Sequence, residues 1–328
     1  MRALSVVIPN HNYGEFVGAA VTSALDVDWP SVEVVVVDDG STDDSRAILR
    51  GFGDRITLIE QDNAGPRVAC NRGFAASSGD AVIFLDSDDV LDPGIARAAA
   101  EVWHPGVSKV QVQMRRIDGT GAPHGRHFPN YRFTPTPEQI RTWMSETSAY
   151  PTPPGSGNVY AREFLDRIMP LDDVCGDATD SACLAAAPYL GDVVTVPLPL
   201  VGYRVHGRNR SALSPDPGRF TRQIERAQQR HRFARQVSGR QADPVAAVRE
   251  LRRGRHLLQM RVAASRVSPG GSSIPSDNRR RMAWDSLVNL GAPGWESATH
   301  RLVVAAWCLA TLAAPGPLAR RLVSRRFS

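Results

Sequence analysis

The sequence predicts an α/β fold: a mostly parallel central sheet with helices on both faces. Three observations predict it. Runs dominated by apolar, strand-forming residues recur at 5–8, 32–37, 56–59 and 81–85, each long enough for a strand and too short for a helix. A helical pattern follows each of the first three. Such strands, buried on both faces and joined by helices, form parallel sheets. Finally, Asn10, Asp39 and Asp86 fall at or just beyond the carboxyl ends of three runs, where ligands of open α/β sheets bind.

The elements follow in order. The run at 5–8 leads into a helical pattern over 15–25. The run at 32–37 ends in the turn Asp39-Gly40-Ser41, with a helix opening at Thr42-Asp43-Asp44. The run at 56–59 precedes Gly65-Pro66 and a helical stretch to residue 76, and 81–85 is the fourth strand. Asp92-Pro93 reads as a capped helix start. Beyond it, Val110, Val112 and Met114 alternate with polar residues as a half-exposed strand would. Residues 151–157 read as a loop, 176–187 as a helix, and 193–196 and 200–204 as two short strands. From Pro215 arginine-rich helical patterns run to residue 267, and the break at 269–273 follows. A boundary near 215 therefore divides the chain into 1–214 and a helical appendage, 215–328.

Composition narrows the function. Of 328 residues 42% are hydrophobic, enough for a substantial core. The net charge is +5, and the pI near 9.3 suits an acidic ligand or an anionic surface. No motif points to nucleic acid. Among 39 basic residues Lys109 is the only lysine, so genome composition explains part of the balance. Cys70, Cys175, Cys183 and Cys308 are scattered without metal-type spacing, which suits a reducing, cytoplasmic setting. The apolar run at 4–8 stops at Pro9, short of a secretory signal. The stretch 302–314 is shorter than the ~20 residues of a membrane span. It reads first as a core-packing helix. Its alternative, with Arg320, Arg321, Arg325 and Arg326 following, is peripheral contact with an anionic inner membrane face.

The acidic cluster Asp86-Ser87-Asp88-Asp89 carries the most chemistry. Like charges packed this closely call for a cation, and hard oxygen ligands favour Mg²⁺ or Mn²⁺. A divalent ion at a strand end commonly holds a diphosphate. Asp39 could accept a hydrogen bond from the imide N–H of uracil or thymine; equally, Asp38-Asp39-Gly40-Ser41 could be a plain turn before a helix capped by Thr42 or Asp43. Arg67 is positioned in sequence to reach phosphate oxygens or to sit solvated on the surface.

Taken in order, Pro9-Asn10-His11-Asn12, Val37-Asp38-Asp39-Gly40-Ser41-Thr42-Asp43 and Leu85-Asp86-Ser87-Asp88-Asp89 resemble the motif set of family-2 glycosyltransferases of the GT-A fold. The resemblance runs from about residue 4 to 211. It implies a donor part at 1–105, an acceptor part at 106–214, and a sugar moved with inversion from a UDP or dTDP donor, UDP ahead. The acceptor would be a glycan, lipid-linked or small-molecule hydroxyl, in polysaccharide or glycoconjugate synthesis. It further implies that Pro9 and His11 lie beside the base, that Asp39 contacts it, and that Arg67 lies near the nucleotide. Asp86 and Asp88 correspond to the metal-and-ribose aspartates. One departure is His11, where the family usually has tyrosine; imidazole buries less area against a base.

Inverting transfer needs a carboxylate to take the acceptor's proton. The family places it at a helix start, and Gly176-Asp177-Ala178 matches best, with Asp180 in reserve. Helix capping by Asp177 is the alternative. Tyr203-Arg204-Val205-His206-Gly207-Arg208 resembles the segment that closes this domain in relatives. There His206 would ligate the metal or touch the β-phosphate, and Arg204 or Arg208 would neutralise the leaving diphosphate.

Two rival functions fit parts of the chain. Asp86-x-Asp88 after a strand also matches a haloacid-dehalogenase-type phosphatase with Asp86 as nucleophile. That motif normally sits on the first strand, leaves Asp39 unexplained, and lacks its downstream lysine and acidic pair here. A protein of the same fold that binds nucleotide or glycan without catalysis is the other. A nucleotidyltransferase would want a glycine-rich loop where Pro9-Asn10-His11-Asn12 stands.

Overall fold

The computed structural model describes residues 1–175, 179–207, 218–268 and 274–327. It divides into two units: 1–139 with 151–207, and 140–150 with 208–328. Residues 140–150, read from sequence within the acceptor part, thus belong to the second unit.

The first unit is built on one sheet. Its strands are β1 (Leu4–Asn10), β2 (Val32–Asp39), β3 (Thr57–Gln61), β4 (Ala81–Phe84), β5 (Val90–Leu91), β6 (Val107–Ile117), β7 (Asn158–Ala161) and β8 (Asp192–Arg204). They lie in the order β3-β2-β1-β4-β7-β6-β8-β5. The first four pair in parallel, with Val6 opposite Val34 on one side and Ile83 on the other. Antiparallel β7 joins this block to the parallel pair β6 and β8, and β5 closes the far edge antiparallel to β8. The helices are α1 (Gly14–Leu25), α2 (Ser45–Arg50), α3 (Pro66–Ala76), α4 (Ile95–Glu101), α5 (Pro137–Thr147), α6 (Arg162–Leu165) and α7 (Thr179–Leu190). Of these, α5 runs on into the second unit. The valine-rich strands bury both faces, which is why they show no alternation in sequence.

Two expectations change. The alternation over Val110, Val112 and Met114 suggested a half-exposed strand, yet the first eight residues of β6 are all buried. The polar positions are buried because they satisfy one another: Gln111 Nε2 donates to Pro151 O (3.0 Å) and Thr195 Oγ1 (2.9 Å). The two short strands expected at 193–196 and 200–204 are one strand, β8. Pro197 and Pro199 do not end it, because the pairing with β6 shifts register around Gln113 and absorbs them as an irregularity.

The second unit is helical: α8 (Arg219–Val237), α9 (Pro244–Arg253), α10 (Arg255–Val267), α11 (Arg279–Val288), α12 (Ala298–Ala313) and α13 (Gly316–Phe327). Asp243, Asn278 and Ser297 cap α9, α11 and α12 through their side-chain oxygens. Helix α10 is buried on most of its circumference. Its Arg261 is fully buried, and donates to Asp277 (2.8 and 2.6 Å) and Asp285 (2.6 Å). An arginine-rich helix can thus lie inside a core when its charges are matched.

Candidate active site

The carboxyl ends of β1 and β2 form the first wall. Asn10 is buried and donates to Asp38 Oδ2 (3.1 Å) and Ser41 Oγ (3.2 Å). Asp38 also accepts from Ser41 N and Arg46 Nε. Burial raises its carboxyl, but these hydrogen bonds from Ser41, Arg46 and Asn10 hold it below the ordinary value. Asn12 sits at φ 58° and ties the two loops, accepting from Thr42 N at 2.7 Å. Asp38 is therefore the frame of the turn, and Asp39 beside it faces a different set of partners.

Asp39 is 3% exposed and accepts from Gln61 Nε2 (2.6 Å), Ala64 N (2.8 Å) and Gly65 N (2.8 Å). Its backbone oxygen lies 2.7 Å from His11 Nδ1. A carbonyl only accepts, so Nδ1 carries the proton and Nε2 is left as acceptor for the amides of Asn12 and Asn63 (both 3.2 Å). His11 and Asp39 thus stand together, with Asn63 as a partner that no motif announced, while Pro9 pairs with Val37 where β1 meets β2. Gly40 makes this approach possible: its φ is +76°, and a Cβ there would lie 2.7 Å from Asn63 N. Gly40→Ala is expected to cost ~2 kcal/mol, combining left-handed backbone strain with that clash. A lower urea midpoint would show it, and an unchanged midpoint would contradict the clash.

The acidic cluster lies past the end of β4. Ligand oxygens of Asp86, Asp88 and Asp89 are within 4.8 Å of one another. Asp89 is buried and accepts from Ser156 Oγ (2.7 Å) and Arg204 N (3.0 Å). Burial, then the charges of Asp86 and Asp88, push its carboxyl well above the usual range. Asp88 Oδ2 is 2.9 Å from His206 Nε2, so the end of β8 returns to the cluster. Arg204 Nε donates to Asp88 O (2.8 Å) and Nη1 to Asp118 O and Gly119 O, with the guanidinium 5.0 Å from the Phe16 ring centre. His206 also packs on Phe16 and Tyr13.

The donor set suits a hard divalent ion. Asp86 offers exposed carboxylate oxygens and Asp88 half-buried ones, with Asp89 completing the set while also engaged with Ser156 and Arg204 and with His206 hydrogen-bonded to Asp88 beside it.

Opposite the cluster runs the strap 151–157, and its support was not legible in any motif. Lys109 is fully buried, with Nζ 2.6 Å from Asn158 Oδ1, 2.8 Å from Thr152 Oγ1 and 3.1 Å from Gln111 Oε1. Asn158 Nδ2 in turn donates to Pro154 O (2.8 Å) and Gly155 O (3.1 Å). Ser156 Oγ accepts from Asp86 N (3.1 Å) as it donates to Asp89. Burial pushes the Lys109 ammonium well below its ordinary value, against the pull of Cys183 and Asp180.

Asp180 lies in the first turn of α7. A Cβ on Gly155 would stand 3.4 Å from Asp180 Cβ and 3.9 Å from Asp86 Oδ2, so Asp180 and Asp86 flank Gly155. Asp177 and Arg208 lie outside the described residues. Arg67, expected near the nucleotide, donates to Leu171 O (2.9 Å) and to the Asp173 carboxylate.

Residues 5–169 match the family model Glycosyl transferase family 2. An uncharacterized glycosyltransferase of a Nostoc species is 34% identical over 213 residues, 63% of this chain and 66% of that protein. The matched segments span less than two thirds of the curated relatives' own lengths, falling to 27% for a second uncharacterized glycosyltransferase, YibD of Escherichia coli. Among solved structures, Staphylococcus aureus TarS 1–349 with UDP-GlcNAc superposes with a TM-score of 0.56 at 15% identity, covering 97% of this chain and 92% of that one. A Pyrobaculum calidifontis mannosyltransferase with GDP-Man and Mn²⁺ gives 0.54 at 17% identity, over 98% and 79%. These likenesses are of fold.

Proposed function

The chain belongs to glycosyl transferase family 2, and from that premise we propose that it moves a sugar from UDP, ahead of dTDP, to an acceptor hydroxyl with inversion. The observation that supports this reading is that three features lie at strand ends and a helix start of one unit. The His11–Asp39 wall, the Asp86–Asp88–His206 cluster and Asp180 come from the ends of β1, β2, β4 and β8 and the start of α7. We assign residues 1–105 to donor binding, 106–214 to the acceptor side and 215–328 to an appendage, in a cytoplasmic enzyme of polysaccharide or glycoconjugate synthesis.

In this reading Pro9 and His11 flank the base and Asp39 accepts its imide N–H. Asp86, Asp88 and His206 would hold Mn²⁺ or Mg²⁺, which would offset charge building on the diphosphate. Asp180 takes the acceptor's proton as its oxygen bonds to the anomeric carbon. The bond from that carbon to the diphosphate oxygen breaks, and its electron pair leaves with UDP. Asp177 is the rival base by its match to the family pattern, and Asp180 is preferred for its place across Gly155 from Asp86. Arg67 would have to exchange Asp173 for phosphate to serve the donor. A phosphatase role for Asp86 finds no support in the family match or in the strand order.

Calorimetry with UDP and dTDP, each with Mn²⁺, Mg²⁺ or EDTA, tests the reading. UDP is expected to bind at least about tenfold more tightly with metal. Metal-independent binding, or preference for another base, would overturn the donor assignment.

A further inference from the structure

The helical unit carries exposed apolar surface that no part of the transfer reading uses. On α11, Trp284 (60% exposed), Leu287 and Val288 are spaced i, i+3, i+4, and Arg280 lies one turn before Trp284 on the same face. On α12, Leu302 (59% exposed), Val303, Ala306, Ala310 and Ala313 are all exposed. At 3.6 residues per turn they occupy about a quarter of the helix circumference. The opposite side of α12 buries Val304, Ala305, Cys308 and Leu312. On α13, Leu318 is half exposed, with Arg321 and Arg325 at i+3 and i+7. Helix α12 packs against both α11 and α13. Helices α11 and α12 thus each turn an apolar stripe outward, and α13 adds Leu318 beside its exposed arginines.

Charge says what such a surface fits. Between residues 279 and 327 there are eight arginines and only two acids, Asp285 and Glu296. Both acids are spent internally, on Arg261 and Arg255. Arg279, Arg280, Arg320, Arg321 and Arg325 are exposed. None of the five has a hydrogen-bonded or ion-paired partner among the described residues, whereas Arg235, Arg255 and Arg261 of the same unit are all paired. A second copy of this chain would set these free arginines against one another across a symmetric contact. A surface of anionic lipid headgroups matches them, and lets their aliphatic stems lie along the apolar stripes.

We propose that α11, α12 and α13 form a docking surface for an anionic membrane, with Trp284, Leu287, Leu302, Val303 and Leu318 entering the interface and the free arginines meeting the headgroups. No described helix is long and apolar enough to cross a bilayer, so this contact lies on the membrane. It is independent of the transfer reading.

Sedimentation of the full chain with vesicles tests it. One set is pure phosphatidylcholine and the other holds about a third phosphatidylglycerol, a strongly anionic mixture. The expected result is binding to the second set only, reversed by high salt, with a blue-shifted Trp284 emission that Trp284→Phe removes. The triple variant Arg320→Glu/Arg321→Glu/Arg325→Glu should weaken partitioning about a hundredfold or more. Leu302→Ser/Val303→Ser should weaken it about tenfold at unchanged charge. All these positions are exposed, so UDP binding should be unchanged. No binding to anionic vesicles overturns the proposal, as does binding indifferent to both variants. A concentration-dependent dimer abolished by Leu302→Ser/Val303→Ser would overturn it in favour of a second copy.

Discussion

Asp88→Asn is expected to lower transfer about a thousandfold and to abolish metal-strengthened UDP binding, whereas Asp180→Asn should lower kcat by ~10²–10⁴ with UDP affinity intact. The contrast follows from where the two carboxylates stand. Asp88 touches His206 Nε2 at 2.9 Å and belongs to the cluster at the end of β4. Replacing one oxygen by an amide removes a negative charge from the donor side and places an N–H opposite the histidine. Asp180 lies across Gly155 from Asp86, on the first turn of α7. Its loss should leave the diphosphate held and the acceptor proton without a base. Steady-state kinetics and calorimetry on both variants separate these roles. If Asp180→Asn turns over like wild type while Asp177→Asn does not, the base is Asp177. If both turn over normally, the inverting mechanism assigned to this site is wrong.

The part of the site that sequence made legible is the part where chemistry needs charged residues at strand ends. Asp39, Asp86 and Asp88 lie just beyond largely apolar runs, and a parallel sheet delivers such residues to one edge whatever the loops do. The frame holding them was hidden, because hydrogen bonds between distant residues leave no local pattern. Asp38 was indistinguishable from Asp39 in sequence, yet one frames the turn with Asn10 and Arg46 while the other gathers the loop at Ala64 and Gly65. Burial also disguised itself: β6 alternates as though one face met water, but its polar side chains are matched inside the sheet. The one available signal was Lys109, a lone lysine in an arginine-rich chain. Its compact ammonium is ringed by Gln111, Thr152 and Asn158, a place where a planar guanidinium would not present the same geometry.

Lys109→Met should therefore test how far the strap depends on that one cation. Methionine fills a similar volume but offers no donor, leaving Asn158 Oδ1 and Gln111 Oε1 without the bonds they make at 2.6 and 3.1 Å. A buried acceptor stripped of its donor costs ~1–3 kcal/mol, so a loss of about 3 kcal/mol in urea unfolding at neutral pH is expected. The pH dependence carries a sign of its own. Burial lowers the Lys109 proton affinity in the folded state. Between its folded value and the ordinary lysine value the unfolded chain holds the extra proton, so wild-type stability gains with rising pH from this group. The variant lacks that gain, and the gap between the two proteins should widen on the alkaline side. Activity should fall beyond what stability explains, because Asn158 fixes Pro154 O and Gly155 O, and the strap they form carries Ser156 to Asp89. The loss should fall on kcat, since the donor wall at His11 and Asp39 is built from other elements. A variant with wild-type stability and kcat would show that the buried lysine supports neither the strap nor the reaction. A fall in donor affinity alone would place its influence on the nucleotide side of the site.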